Sequence, residues 1–363
     1  MNIKPEFSKV FPSKKLINRI LFQLDSDVTS RTIIPIYQSI YEKRVIPIKY
    51  RSNGDVLFLM NRVLSKIRKM SNYETIPLKE MRNTLLYQSA SNGSNDAIAL
   101  LCYEILSNKD VKPPKKKEAE KLLKDLVMLG HGLSFKVVGD LYYSMGQTAE
   151  CISWYEKFLE QPQLKNEWKG EVLEKIAEIQ YRQGPENIKI AEQKFLEVIK
   201  ICKLQDCVKS YFYLAQIYIK YDPMKSKILL EQCCTQGFKE AFKELGYLEM
   251  NYFRDYGKAQ EWFKIGMEVF EIECYFGYFD CSFESKQYIN CVNCLKSMES
   301  LKNVDKNYKN YIKMFVTNRM EKIQIALKNS KSERSTPSTT KNNANSVTGD
   351  ISKVKSPSSR WVM

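Results

Sequence analysis

Six times along this chain a small residue is followed by further apolar or small residues four and seven positions later. The sets are Ala119/Leu123/Leu126, Cys151/Tyr155/Phe158, Ala191/Phe195/Val198, Ser226/Leu230/Cys233, Ala259/Phe263/Gly266 and Cys291/Leu295/Met298. Offsets of four and seven line one face of an α-helix. Five of the sets follow a second small residue on an earlier helical stretch, at Gly139, Ala177, Ala215, Gly246 and Gly277, which are spaced by 38, 38, 31 and 31 residues. Small residues let two antiparallel helices approach closely, while large residues at the other two positions fill the groove between them. One such hairpin cannot bury its apolar face alone, so neighbours must stack into a solenoid. The expected fold is all-α.

Spacing near 34 is the tetratricopeptide period. The segments 229–249 (LLEQCCTQGFKEAFKELGYLE) and 258–268 (KAQEWFKIGME) resemble its Sel1-like variant. Asp222-Pro223 and Gly184-Pro185 mark turns between paired helices, and Ser91–Asp96 is a break that supplies N-cap residues for the next helix. The expected organisation is a flexible basic N-terminus over 1–13, a less regular helical region over 14–96, and a tetratricopeptide/Sel1-like repeat array over 97–327. A disordered tail follows over 328–363, where Ser, Thr, Asn and Lys leave too little apolar surface for a core.

Charge narrows the partners. The 57 Lys and Arg against 42 Asp and Glu give +15, of which residues 1–20 hold +4 and residues 328–363 hold +5. Basic ends on a milder body suit an anionic membrane surface, an acidic partner or nucleic acid. Lys112, Lys115, Lys116 and Lys117 form a basic loop and a candidate contact for a membrane or partner. No run approaches the roughly 18 consecutive apolar residues of a membrane-spanning helix, and no secretory signal opens the chain.

Enzymatic chemistry finds no foothold. There is no G-x-x-x-x-G-K-[ST], G-x-G-x-x-G or G-x-S-x-G sequence, and His131 is the single histidine. Cys274, Cys281, Cys291 and Cys294 follow a C-x6-C-x9-C-x2-C spacing that offers four thiolates to zinc or copper. Cys291, however, occupies a small-residue slot of the last repeat, and the four come from two different helices. Buried free thiols are the expectation, with no metal and no cofactor.

Binding is the natural use of stacked hairpins, whose first helices line a concave face. Positions −3, +1 and +4 from each small residue are expected to face inward there. They select Lys136, Asp140 and Tyr143; Glu174, Glu178 and Tyr181; Phe212, Gln216 and Ile219; Lys243, Tyr247 and Met250; and Tyr278 between Cys274 and Cys281. Several aromatics and few charges suit a peptide better than a phosphate backbone.

Residues 9–25 (KVFPSKKLINRILFQLD), 230–253 and 258–281 together resemble a family of fungal mitochondrial assembly factors. Members of that family are required to export the C-terminal tail of cytochrome c oxidase subunit II across the inner membrane. The resemblance covers about residues 8–325 and implies a non-enzymatic tetratricopeptide-like protein, peripheral on the matrix side of the inner membrane. It implies subunit II and insertase-type export components as partners. The alternatives are an organellar RNA-binding translation factor and a Sel1-like adaptor of another complex. Base-reading repeats place polar residues at regular positions, which this chain lacks, so nucleic acid is not the expected partner.

Overall fold

The computed structural model describes residues 5–71, 74–162, 164–301 and 306–335, and among these the chain is helical without a strand. It divides into two compact units, one ending at Leu164 and the other beginning at Lys165. The division therefore falls inside the expected repeat array and not at 96/97. None of the described helices is long and apolar enough to cross a membrane.

The first unit opens with α1 (Phe7–Val10), α2 (Lys14–Gln23), α3 (Ser30–Lys43), α4 (Ile48–Arg51), α5 (Gly54–Ser71) and α6 (Ile76–Ser91). Ile17, Ile20 and Leu21 of α2 share a face and meet Ile33, Ile36 and Tyr37 of α3 with Leu57, Met60 and Val63 of α5 in one core. The Tyr37 hydroxyl donates to the Met60 carbonyl at 2.7 Å inside it. The flexible N-terminus expected over 1–13 is corrected by the same core for residues 5–13, while residues 1–4 lie outside the described residues. Phe7 stacks on Phe11 at 4.6 Å, Phe11 leans on Tyr37 at 4.8 Å, and the Tyr41 hydroxyl donates to the Pro5 carbonyl at 2.7 Å. Basic composition concealed two rings that anchor the segment.

Two helix pairs complete this unit: α7 (Asn95–Ser107) with α8 (Pro113–Met128), and α9 (Gly132–Ser144) with α10 (Thr148–Leu159). The expected basic loop 112–117 is also corrected. Proline is favoured in a first helical turn, where its missing N–H has no intrahelical role. Pro113 and Pro114 accordingly begin α8, which makes Lys115, Lys116 and Lys117 helical and leaves Lys112 at the N-cap.

The second unit is a succession of pairs. They are α11 (Asn166–Gln183) with α12 (Ile188–Ile201), α13 (Val208–Tyr218) with α14 (Pro223–Thr235), and α15 (Lys239–Leu248) with α16 (Tyr256–Glu268). Next come α17 (Ile272–Glu284) with α18 (Tyr288–Leu301), then α19 (Lys306–Asn318) with α20 (Met320–Ser335). The Asp222 carboxylate caps α14 by accepting from the Lys225 amide at 3.0 Å, with Pro223 in the first turn. Gly184 takes the turn after α11 at φ 135°, a conformation that favours glycine. A single π-helical turn, Glu249–Phe253, extends α15.

The small-residue logic holds in three dimensions. Cys151, Tyr155 and Phe158, Ala191, Phe195 and Val198, and Ser226, Leu230 and Cys233 are all buried. A Cβ at Gly139 would stand 2.5 Å from the Tyr155 ring, and one at Gly246 would stand 2.4 Å from the Phe263 ring. Leu295 is the exception, only half-buried, because Cys294 turns into the core in its place. The repeat fold also continues beyond the expected end at 327, since α20 runs to Ser335 with Ser330 buried. The rest of the expected tail, 336–363, lies outside the described residues.

Candidate functional site

Solvent reaches the first helices of the second unit along one track of half-buried side chains. On α11 these are Glu174 and Tyr181, on α13 Tyr213 and Gln216 with Ile219 just after it, and on α15 Lys243, Glu244 and Tyr247 with Met250 in the π-helical turn that follows. The Tyr181 hydroxyl donates to Gln216 Oε1 at 3.3 Å, and its ring tilts against that of Tyr213 at 5.1 Å. Tyr213 in turn donates to Glu178 at 3.1 Å and stacks on Phe195 at 5.2 Å. Ser210 donates to Glu174 Oε2 at 2.6 Å, and Lys243 Nζ donates to Glu273 of α17 at 2.9 Å. Arg319 closes the track with a fork on Asp280, at 2.8 Å from Nε to Oδ1 and 2.6 Å from Nη2 to Oδ2. Hydrogen bonds thus bridge α11 to α13 and α15 to α17.

Sequence reasoning overstated how much of this face meets solvent. Lys136 and Asp140 are buried, because Lys136 Nζ bonds Asp140 Oδ2 at 2.7 Å and Tyr155 donates to Asp140 Oδ1 at 2.7 Å. Glu178 is buried between Tyr213 and Arg182, Phe212 packs on Phe238 at 5.1 Å, and Tyr278 is buried with Cys274 and Cys281. These five positions of the expected face do not line a surface. Tight helix approach at the small residue draws its flanking positions under the neighbouring pair. Tyr143, on α9 of the first unit, is half-buried and belongs to a separate unit from the track. The expectation missed Tyr213 and Glu244, each two residues before a small residue; only their neighbours across the stack identify them.

Burial sets the electrostatics of the track. It pushes the carboxyls of Glu174 and Glu244 above the ordinary range, outweighing the Ser210 hydrogen bond at the first and Lys243 at the second. Burial also raises the Tyr181 phenol, with Glu244 adding to it, and raises Tyr247 beside Asp280. A carboxyl whose folded-state pKa is raised makes a stability contribution that is present at acid pH and lost as pH rises through that value. Glu244→Gln is therefore expected to melt above the wild type at pH 7, with the difference vanishing below the ordinary carboxyl range. Thermal unfolding at both pH values checks this, and an equal difference at both would show that ionisation of Glu244 is not its origin.

The four C-terminal cysteines do not converge. Cys281 Sγ contacts the Tyr256 carbonyl at 3.2 Å, Cys291 the Phe279 carbonyl at 3.7 Å, and Cys294 the Tyr275 carbonyl at 3.2 Å. Burial pushes the Cys281 thiol up to about 12 and raises Cys274 and Cys294 as well. Among the described residues no three His, Cys, Asp or Glu side chains stand close enough to hold a metal ion. An open polar depression of about 510 Å³ lies elsewhere, lined by Lys49, Ser52–Asp55 and Asn92–Ser94. Lys112, Lys115 and Lys117 are exposed on the first unit, and Lys116 is half-buried.

Residues 3–94 match the MSS2 N-terminal domain. Across the longer chain, Protein MSS2, mitochondrial, of Saccharomyces cerevisiae (strain ATCC 204508 / S288c) is 35% identical over 301 residues, which span 79% of this chain and 84% of that protein. Among solved structures, a Sel1 repeat protein from Oxalobacter formigenes is similar at 14% identity and a TM-score of 0.42, covering 70% of this chain and 97% of its own. A protective antigen of uropathogenic Escherichia coli with an SLR fold is similar at 16% identity and a TM-score of 0.45, covering 92% and 66% respectively.

Proposed function

Because this chain belongs to the family of the mitochondrial protein MSS2, we propose that it is a non-enzymatic assembly factor that holds cytochrome c oxidase subunit II for export of its C-terminal tail. In this reading it sits peripherally on the matrix side of the inner membrane and hands its client to insertase-type export components. The observation that carries the binding role is the track from Tyr181 through Gln216 and Glu244 to Tyr247. Its rings and amide are half-buried, Tyr181 is joined to Gln216 and Tyr213 of the next pair, and in this reading they receive an extended or helical peptide. The cations beside it, Lys243 and Arg319, are already paired with Glu273 and Asp280, which favours a protein client over RNA.

A photo-crosslinking residue at Gln216, in mitochondria synthesising their own proteins, is expected to yield an adduct with subunit II. The same residue at Ile190, exposed on the second helix α12, is expected to yield none. Equal adducts from both positions, or none from Gln216, would remove the client-binding track. Protease protection of the protein in mitoplasts checks the matrix placement, and digestion there would place it on the other side.

A further inference from the structure

Helix α8 presents a face that no other described part of the first unit covers. Its buried side, Ala119, Leu123 and Leu126, seats it against α7 and α9. On the outward side Lys117, Lys121 and Lys124 follow one another at offsets of four and seven, and Met128 continues the line one turn later. The three lysines are exposed and make no ion pair among the described residues, although Glu118, Glu120 and Asp125 stand on the same helix. The line ends on an apolar tip, where Met128 is 78% and Leu129 76% exposed. Gly130 then turns the chain at φ 68°, and a Cβ built there meets nothing within 4 Å, so the tip stands clear of the fold.

We infer that this face of α8 docks on an anionic lipid surface, with its lysines at headgroup level and Met128–Leu129 at the acyl boundary. The inference rests on the peripheral-membrane part of the reading above and says where and by what chemistry the contact forms. Both halves of the face are needed to identify the partner. Lysine stems lie along apolar surface while their ammonium groups stay hydrated, which suits a headgroup layer. Segment 109–130 contains seven lysines but no arginine and no aromatic residue. Nucleic-acid surfaces draw on arginine forks and stacking rings, and phosphates alone leave Met128 and Leu129 without an apolar counterpart. Glu118, Glu120 and Asp125 oppose binding, so the attraction is moderate and screened by salt.

The test uses the purified full chain with phosphatidylcholine vesicles, with and without phosphatidylglycerol. The wild type is expected to partition onto the anionic vesicles and to be released in high salt. Each lysine near such a surface contributes about 1 kcal/mol, so Lys117→Gln, Lys121→Gln and Lys124→Gln together are expected to lower the partition on the order of 100-fold. Met128→Ser with Leu129→Ser is expected to weaken binding at every salt concentration. All five side chains are exposed, so an unchanged melting temperature separates lost docking from lost folding. Wild-type partition that neither variant alters would overturn the α8 assignment and leave the membrane reading standing. A wild type that ignores anionic vesicles would overturn both. Tighter capture of a single-stranded RNA, lost in the same lysine variant, would replace lipid by nucleic acid.

Discussion

Phe263→Ala is expected to destabilise the second unit by about 3–5 kcal/mol, the usual range for removing a buried phenylalanine ring. Phe263 is fully buried and serves two pairs at once. Built Cβ atoms at Gly246 of α15 and Gly277 of α17 would stand 2.4 Å and 2.3 Å from its ring, and Tyr247 meets it edge-on at 5.1 Å. The complementary change is Gly277→Ala, which forces a methyl into the same ring and is expected to cost about 1–3 kcal/mol as overpacking. The two effects share one space, so adding Phe263→Leu to Gly277→Ala is expected to recover part of the loss. Urea unfolding of the four proteins measures this coupling. A Gly277→Ala cost within about 0.5 kcal/mol, as for a surface change, would mean that the helices do not approach as closely as described.

The second large effect concerns the ion pair between Lys227 of α14 and Glu249 in the π-helical turn. Lys227 Nζ lies 2.6 Å from Glu249 Oε1 and 5.0 Å from the centre of the Phe253 ring. Glu249 is 1% exposed, and its Oε2 has no hydrogen-bond donor among the described residues. Lys227→Met would leave that carboxylate buried without its cation, a loss of about 3–5 kcal/mol for a fully buried pair. The lysine keeps partial access to water, which places the expectation at the lower end of that range. Replacing both, Lys227→Met with Glu249→Leu, is expected to restore the wild-type stability or exceed it by about 1–4 kcal/mol, because the desolvation cost disappears with the charges. A single-variant loss below about 1 kcal/mol, the range of exposed pairs, would show that solvent reaches Glu249.

These two sites also show why most of the array was legible before the fold was known. Ala259/Phe263/Gly266 and the glycines at 246 and 277 encode helix faces and close approach within a window of a few residues. Lys227 and Glu249 carried no such signal. They are 22 positions apart and meet only because α14 and the turn after α15 lie side by side.

The amino-acid sequence by itself determined that this chain is helical, that its helices pair through small residues, and that it resembles a mitochondrial family. Each of these follows from local periodicity or from residues quoted in order along the chain. Tertiary structure alone decided which flanks of the first helices reach solvent. Lys136, Asp140, Glu178, Phe212 and Tyr278 sink beneath neighbours, while Tyr213 and Glu244 join the track. It also decided that Phe7 and Phe11 anchor the N-terminus, that Pro113 starts α8, and that the units divide after Leu164. The physical reason is common to all of them. A helix's own sequence sets which side is apolar, but the exposure of its borders depends on elements packed from both sides of the stack, tens of residues away.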